Sequence, residues 1–161
     1  MYYYQTVPFP VGSVTVMEEG GDIVFIGFRC ETGNAIKKET PVIKEALRQL
    51  SDYFDGELKK FDLPLKLSGT PFQMKTWEAL QTIPYGETRS YGDIAKQIGN
   101  GKASRAVGMA NHNNPISIVI PCHRVIGANG SLTGYGGGLP VKQQLLELET
   151  YYSRDSHSTL F

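Results

Sequence analysis

One short stretch constrains the chain more than any other, the run from Ile118 to Ile126. It reads Ile-Val-Ile-Pro-Cys-His-Arg-Val-Ile. An apolar, β-branched run of this kind predicts a buried strand, and Pro121 marks the end of that strand because proline cannot donate a ladder hydrogen bond. Cys122 is therefore expected where a rigid strand gives way to a turn, which is a suitable mount for a reactive atom.

Two interpretations of Cys122 are open. Cysteine is among the most buried residue types, so a packed structural thiol is the plain alternative. The neighbouring residues favour reactivity, because a thiol beside His123 and Arg124 is expected to have a lowered pKa, and the thiolate is the nucleophile. We therefore predict a reactive cysteine at the start of a turn.

The composition excludes several classes of protein. A chain of 161 residues with 40% hydrophobic and 20% charged residues is expected to form one globular domain or two small ones. No apolar run approaches the roughly 18 residues of a membrane span, and the segment after Met1 lacks the pattern of a signal peptide. Two cysteines cannot form a disulfide framework or a four-cysteine zinc site. We expect a reduced, cytoplasmic setting without membrane contact.

The charge is balanced overall but not along the chain. Residues 1–65 have three more acidic than basic side chains, and residues 66–161 have three more basic than acidic ones. A modest basic face of this kind can contact phosphates, although an ordinary solvated surface is the simpler interpretation.

The first 65 residues predict a small α/β domain. Three segments rich in β-branched and aromatic residues, separated by glycine-containing turns, predict an antiparallel meander: Tyr2–Val7, Ser13–Glu18 and Asp22–Phe28. Thr40-Pro41 opens a helix whose apolar residues repeat at helical spacing and are expected to cover the meander. We place the boundary between domains 1–65 and 66–161 near residue 65, and we interpret Cys30 as a packing residue.

The second domain begins with helical signals. Thr70 with Gln73, and Ser90 with Asp93, are capping boxes that start two helices. The first helix carries Trp77 on its apolar stripe, which favours a core position. A break at Gly99-Asn100-Gly101 then precedes a third helix, expected over Lys102–Asn111. Two short helices joined by a glycine-containing turn match a helix-turn-helix.

The third of these helices has a nearly smooth surface, because most of its side chains are small. Ala103, Ser104, Ala106, Gly108 and Ala110 are small, and Arg105 is the large residue among them. Small residues allow close approach to another surface, which fits either tight core packing or DNA. Arg105 is able to enter a groove or a base stack, with a surface salt bridge as the alternative.

The last third of the sequence combines a loop and a helix. Residues 127–138 contain six glycines around Tyr135, which predicts either a flexible lid or a close backbone approach. Pro140 opens a last helix with Glu149 at its end. The polar tail from Tyr151 to Phe161 is expected to fray, so that His157 has no functional role.

Taken together, these motifs resemble the O6-alkylguanine-DNA alkyltransferases (methylated-DNA–protein-cysteine methyltransferases). The resemblance is dense over residues 66–150 and extends to residues 1–65 only in layout. It is carried by Pro121–Val125, Ile83–Gly86, Ser90-Tyr91, Ala103–Gly108, Asn114-Pro115, Gly134-Tyr135, Gly137–Leu139, Lys142 and Leu145-Leu146. It implies an α+β fold. A ribonuclease-H-like N-terminal domain would hold a small antiparallel sheet and a helix, and an all-α, winged-helix-like helix-turn-helix domain would carry the active site.

The resemblance also implies direct reversal of DNA damage. The thiolate of Cys122 would attack the alkyl carbon on O6 of a guanine, or on O4 of a thymine, that is flipped out of duplex DNA through the minor groove. A thioether remains on the protein, so we expect one turnover per molecule. The implied partner is double-stranded DNA containing O6-alkylguanine. The implied protein is a monomer without a cofactor or metal.

Roles in the chemistry follow from the same resemblance. His123 would take the thiol proton through a water molecule, and Glu149 would orient its imidazole, as in a Cys-His-acid triad. Tyr91 would crowd the backbone at the flipped nucleotide and donate a hydrogen bond to the base. The carbonyls of Cys122 and Val125 would hold the exocyclic amine.

Further roles concern the DNA and the shape of the site. Arg105 would take the place vacated by the flipped base, on a DNA-binding surface shared with Lys102, Ala103, Ser104, Ala106 and Tyr91. The loop with Tyr135 and Gly136 would reach O6, and Asn114 would tie the recognition helix to the active-site turn.

The sequence departs from the family pattern at two places. Some relatives have a serine after the loop tyrosine, whereas Gly136 offers only a backbone donor. Some relatives bind zinc in the N-terminal domain. Such a site is not expected here, because Cys30 is the lone cysteine of that domain and no histidine precedes His112.

Three other functions compete. A non-catalytic alkylguanine binder that recruits repair factors is disfavoured, because such proteins lack the acceptor thiol that Cys122 provides. A helix-turn-helix regulator is disfavoured, because Ala, Ser and Gly cannot make bidentate base contacts. A cysteine hydrolase with a Cys122-His123 dyad requires a turn at these residues, since neighbours on a strand point to opposite faces. The transferase requires the same turn.

Overall fold

The computed structural model describes residues 1–28 and 32–158, with side chains described up to residue 153. It forms two compact units. Met1–Leu67 and Pro115–Val119 make the first, and Ser68–Asn114 with the chain from Ile120 onward makes the second. The five residues 115–119 thus belong with the first unit, although they lie inside the sequence range 66–161. Cys30 and the side chain of His157 lie outside the described residues.

A four-stranded sheet forms the first unit. Strands β1 (Tyr2–Phe9), β2 (Gly12–Glu19) and β3 (Asp22–Gly27) make the predicted antiparallel meander. Strand β4 (Ile36–Lys37) adds parallel to β1, giving the order β3-β2-β1-β4. This two-residue strand is too short to produce a sequence pattern. Both residues of the Gly20-Gly21 turn have positive φ, which a two-residue hairpin turn of type I′ requires.

One helix covers this sheet. Helix α1 (Pro41–Phe54) has Thr40 at its N-cap position, although the threonine side chain makes no capping hydrogen bond. The helix starts with proline as predicted and packs against β1, β2 and β3. Its fully buried residues meet those of the sheet in one apolar core, formed by Val14, Val16, Ile23, Ile26, Ile43, Ala46, Leu50 and Tyr53. The helical spacing of apolar residues therefore predicted the buried face correctly.

Four helices form most of the second unit: α2 (Pro71–Leu80), α3 (Tyr91–Gln97), α4 (Ser104–His112) and α5 (Leu139–Ser158). Both predicted capping boxes are present at the starts of α2 and α3. Trp77 is 2% exposed, and its indole Nε1 donates to the Ala110 carbonyl at 2.8 Å. The core position predicted for this tryptophan is confirmed.

The helix-turn-helix consists of α3 and α4, which pack against each other. Their connection spans residues 98–103 and is longer than the predicted turn, because α4 begins at Ser104 and not at Lys102. Gly99 has a φ of +86° and ends the first helix in the left-handed conformation that favours glycine.

The strand predicted before Cys122 is wrong. Residues 117–119 form a turn, and Ile118 has a φ of +72°, which is unusual for a β-branched residue. Ile118 and Ile120 are buried all the same, at 1% and 0% exposure. Apolar character therefore predicted burial correctly, but a short apolar run does not distinguish a strand from a buried turn.

Two further features of the second unit differ from expectation. A parallel pair of two-residue strands, β5 (Arg89–Ser90) and β6 (Val125–Ile126), adds to a unit expected to be all helical. Helix α5 continues to Ser158, so the expected fraying from Tyr151 is wrong up to that residue, and Glu149 lies within the helix.

None of the described helices is both long and apolar enough to cross a bilayer.

Candidate active site

Cys122 is the first residue of a single 3₁₀ turn, Cys122–Arg124, in the second unit. Its backbone is tied on both sides. Its N–H donates to the Ile120 carbonyl at 2.7 Å, and its carbonyl accepts from Asn111 Nδ2 at 3.2 Å. Only 3% of the residue surface is exposed. An alkyl group can therefore meet this sulfur only if the group that carries it enters the protein.

His123 and Glu149 form a buried pair. His123 Nε2 lies 2.7 Å from Glu149 Oε2, and the two side chains are 0% and 1% exposed. A carboxylate only accepts hydrogen bonds, so Nε2 holds the proton of a neutral imidazole and Nδ1 keeps a lone pair. Nδ1 is buried and makes no hydrogen bond within the described part of the chain. The ring therefore presents a base.

The charge state of this pair follows from its surroundings. Burial lowers the pKa of His123, although Glu149 opposes this, so the imidazole is neutral at neutral pH. Burial would raise the pKa of Glu149, but His123 and Arg124 outweigh it and hold that pKa well below the usual range. The resting site thus contains a neutral base next to an ionised carboxylate.

Arg124 is part of the site in a way that the sequence did not indicate. Its Nε and Nη2 donate to the two oxygens of Glu149 at 2.8 and 3.0 Å, and Nη1 donates to the Ile83 carbonyl at 2.7 Å. Its guanidinium also lies over the Tyr85 ring, 5.7 Å from the centroid. We expected the positive charge of Arg124 to lower the pKa of the Cys122 thiol. In the structure this charge is paired with Glu149 instead.

Lys142 is a second buried cation, to which the sequence interpretation gave no role beyond its part in the family resemblance. It is 0% exposed, and its Nζ donates to the carbonyls of Val125 at 2.6 Å and Thr133 at 2.9 Å. Burial lowers the pKa of Lys142, while its interaction with the Cys122 thiolate raises it. The same interaction, acting in reverse, favours the thiolate. Lys142, Leu145 and Glu149 recur on one helical face, which is a signal that could have found it.

The remaining residues expected around the base lie in the same unit. Tyr91 is the first residue of α3, and its hydroxyl oxygen is 2.5 Å from Thr133 Oγ1. Tyr135 is buried, whereas Gly136 is exposed and an added Cβ there would meet nothing within 4 Å. Asn114 Nδ2 donates to the carbonyl of Ile120, two residues before the active-site turn, at 2.8 Å.

The carbonyl of Val125, expected to hold the exocyclic amine of the base, already accepts from Lys142. The carbonyl of Cys122 likewise accepts from Asn111. Each carbonyl oxygen has two lone pairs, so each is able to accept a second hydrogen bond.

The residues expected to contact DNA lie at or near α4. Lys102, Arg105 and Ala106 are exposed, and Ala103 and Ser104 are partly exposed. No carboxylate forms an ion pair with Arg105 in the described residues, so the salt-bridge alternative finds no support there. The predicted smooth surface is incomplete, because Met109 lies one turn after Arg105 and is 62% exposed.

Candidate metal ligands do not cluster in the described part of the chain. There, no group of three or more His, Cys, Asp or Glu side chains is close enough to hold a metal ion. Cys30 lies outside that part of the chain.

Stability is expected to decrease as the pH falls below about 6.5, the ordinary pKa of histidine. The unfolded chain then binds a proton at His123 that the folded protein does not, which costs up to about 1.4 kcal/mol per pH unit. Urea unfolding between about pH 7.5 and 5.5 measures this dependence. His123→Gln should reduce it, and His112→Gln, at an exposed position, should not. Equal pH dependence in both variants would contradict the assignment.

Comparison with known proteins gives consistent matches over both units. Two family models match: 6-O-methylguanine DNA methyltransferase, ribonuclease-like domain, over residues 2–67, and 6-O-methylguanine DNA methyltransferase, DNA binding domain, over residues 71–151. A methylated-DNA–protein-cysteine methyltransferase of Methanosarcina acetivorans is 50% identical, with 91% of this chain and 97% of the relative covered.

A second relative and a solved structure also match most of the chain. The methylated-DNA–protein-cysteine methyltransferase of Mycolicibacterium paratuberculosis is 53% identical, with 100% of this chain and 99% of the relative covered. The crystal structure of Mycobacterium tuberculosis OGT in complex with DNA has a TM-score of 0.88 and 49% identity, and the match covers 93% of this chain and 94% of that one. The α+β fold expected from the sequence is confirmed.

Proposed function

Because the chain belongs to the 6-O-methylguanine DNA methyltransferase family, we propose that it repairs DNA by direct reversal, transferring the alkyl group from O6 of guanine in a duplex to Cys122. One observation carries the assignment to this cysteine. Next to it along the chain stands a neutral, buried imidazole that presents a bare Nδ1, in the unit that also exposes Arg105 on α4.

Proton transfer comes first. Nδ1 of His123 accepts the thiol proton of Cys122, directly or through one water molecule, and Glu149 at Nε2 stabilises the imidazolium that forms. The ammonium of Lys142 stabilises the thiolate. Arg124 keeps Glu149 ionised and in place.

Alkyl transfer follows. The sulfur attacks the alkyl carbon, the carbon–sulfur bond forms, and the carbon–oxygen bond breaks with its electron pair moving to the base. The proton taken from the thiol ends on guanine, so the products are neutral guanine and a thioether. The hydroxyl of Tyr91 donates a hydrogen bond to the base and stabilises the negative charge that develops on it.

The depth of Cys122 makes base flipping a requirement. Extruding a nucleotide from the stack costs a few kcal/mol. The exposed side of α4, with Ala106 next to Arg105, lies in the minor groove, and Arg105 takes the vacated place in the stack. Lys102, Ala103 and Ser104 contact the backbone beside it. Readout in the minor groove is degenerate, which suits a protein that must find damage in any sequence.

The thioether has no route to hydrolysis in the described site, so each molecule reacts once. The protein acts as a monomer on duplex DNA containing O6-alkylguanine. A reactive thiolate persists only in a reducing compartment, which favours the cytoplasm.

Stoichiometry tests this function. The protein is incubated with an excess of duplex containing O6-methylguanine, and restored guanine is quantified by nucleoside mass spectrometry. Repair should stop at one guanine per active molecule, and Cys122→Ala should repair none. A hydrolase would continue beyond one, and a recruitment protein or a transcription regulator would restore none.

Replacing Arg105 by alanine should slow repair of duplex by about tenfold or more, because nothing then fills the stack after flipping. Reaction with free O6-benzylguanine should change little, since a free base needs no extrusion. Lys96→Ala removes an exposed charge from α3 and serves as the control for lost phosphate attraction. If Arg105→Ala slowed the reaction with duplex and the reaction with free base equally, Arg105 would have no specific role in base flipping.

A further inference from the structure

Thr133 lies in the glycine-rich loop, residues 127–138, and is fixed there by two contacts. Its Oγ1 is 2.5 Å from the hydroxyl oxygen of Tyr91, and its carbonyl accepts from the buried Nζ of Lys142 at 2.9 Å. One residue thus joins the start of α3 to the buried lysine of α5. The hydroxyl of Thr133 is therefore held by Tyr91 of α3, and its backbone by Lys142 of α5.

The direction of the Tyr91–Thr133 hydrogen bond during the reaction follows from the number of protons that the two hydroxyl groups have. A phenol hydroxyl has one proton, and so does a threonine hydroxyl. If Tyr91 donates its proton to the base, the short contact persists only with Thr133 as the donor to the phenol oxygen. Hydrogen bonds arranged in such a chain strengthen one another, so donation by Thr133 makes Tyr91 a better donor.

Two other positions of the loop, Gly136 and Ser131, are less well placed for this task. Gly136 stands where some relatives have a serine, and it has no hydroxyl to offer. Ser131 has a hydroxyl but is exposed, whereas Thr133 is partly buried. The carbonyl contact with Lys142 also sets the position of Thr133 by a buried side chain.

We propose that Thr133 is a positioning residue for alkyl transfer, whose hydroxyl donates to Tyr91 and directs the proton of Tyr91 towards the extruded base. The proposal rests on the proposed function, because it assumes a base beside Tyr91. It involves no covalent step. Thr133 acts through Tyr91 and is not itself in contact with the reacting atoms.

The test is the single-turnover rate of alkyl transfer, measured by quenched-flow mass spectrometry with protein in excess over O6-methylguanine duplex. Thr133→Val keeps the shape and removes the hydroxyl, and should lower the rate about fivefold, as expected for one neutral hydrogen bond. Thr133→Ser should recover most of the rate. Ser131→Ala removes a hydroxyl from the same loop and is the matched control.

A double-mutant cycle separates positioning from packing. In the Tyr91→Phe background, Thr133→Val should cause no further loss, because the phenol oxygen is already absent. The inference is overturned if Thr133→Val reacts as fast as Ser131→Ala, if Thr133→Ser does not recover the rate, or if the two losses simply multiply. In each of these cases the wild-type protein still alkylates Cys122, so the proposed function stands. A wild-type protein that gains no alkyl group overturns both.

Discussion

Glu149→Gln should slow alkyl transfer by at least about a hundredfold and lower the free energy of unfolding by about 3–5 kcal/mol. The loss of rate follows because an amide no longer enforces the tautomer in which Nδ1 of His123 is the base. The loss of stability follows because the buried guanidinium of Arg124 keeps its position but loses its countercharge. Both losses come from one side chain, which accepts hydrogen bonds from His123, Arg124 and Gly86.

Two measurements check this expectation, single-turnover rates with methylated duplex and urea unfolding at neutral pH. Glu147→Gln is the matched control, since it removes the same charge from the same helix at an exposed position. The control should remain close to the wild type in both assays. A Glu149→Gln protein as stable and as fast as Glu147→Gln would mean that the buried pair has no role in the reaction.

Lys142→Met should lower the rate at neutral pH by about tenfold, which corresponds to one pH unit in the ionisation of a nucleophile. Methionine keeps the length of the side chain but removes the ammonium that favours the Cys122 thiolate. The sign of the pH effect follows from this. Without the cation the thiolate forms at higher pH, so the rate of the variant should recover as the pH is raised.

A rate–pH profile between about pH 6 and 9 measures that recovery. Gln143→Met, at the next and exposed position of α5, is the control for the substitution itself. If the deficit of Lys142→Met persists unchanged at high pH, the lysine acts by tying the carbonyls of Val125 and Thr133 together and not by its charge.

The parts of the fold that the sequence predicted well are those with local causes. The capping boxes at Thr70 and Ser90 require only residues three positions apart, and both are present. The apolar stripe of α1 has the same local character. By contrast, the run at Ile118 depends on its surroundings, because burial there is combined with a left-handed backbone that no local pattern indicates.

The residues of the active site were likewise predicted only in part. The pairing of His123 with Glu149 was expected from the family resemblance alone, and the structure places the two side chains together. The partners of Arg124 and Lys142 lie far away along the chain. The order of residues therefore suggested Cys122 as the partner of Arg124, where the structure has Glu149, and it suggested no partner for Lys142. A buried charge finds its partner through tertiary structure, which a single sequence does not display.

The most direct test of the account is the mass of the protein after reaction with a duplex containing O6-methylguanine. Replacement of the thiol proton by a methyl group should add the mass of one methylene to the intact chain, and peptide mapping should locate it on Cys122. Unmodified duplex should leave the mass unchanged, as should Cys122→Ala with the methylated duplex. A methyl group found on another residue, or an unchanged mass while the lesion disappears, would contradict transfer to this sulfur.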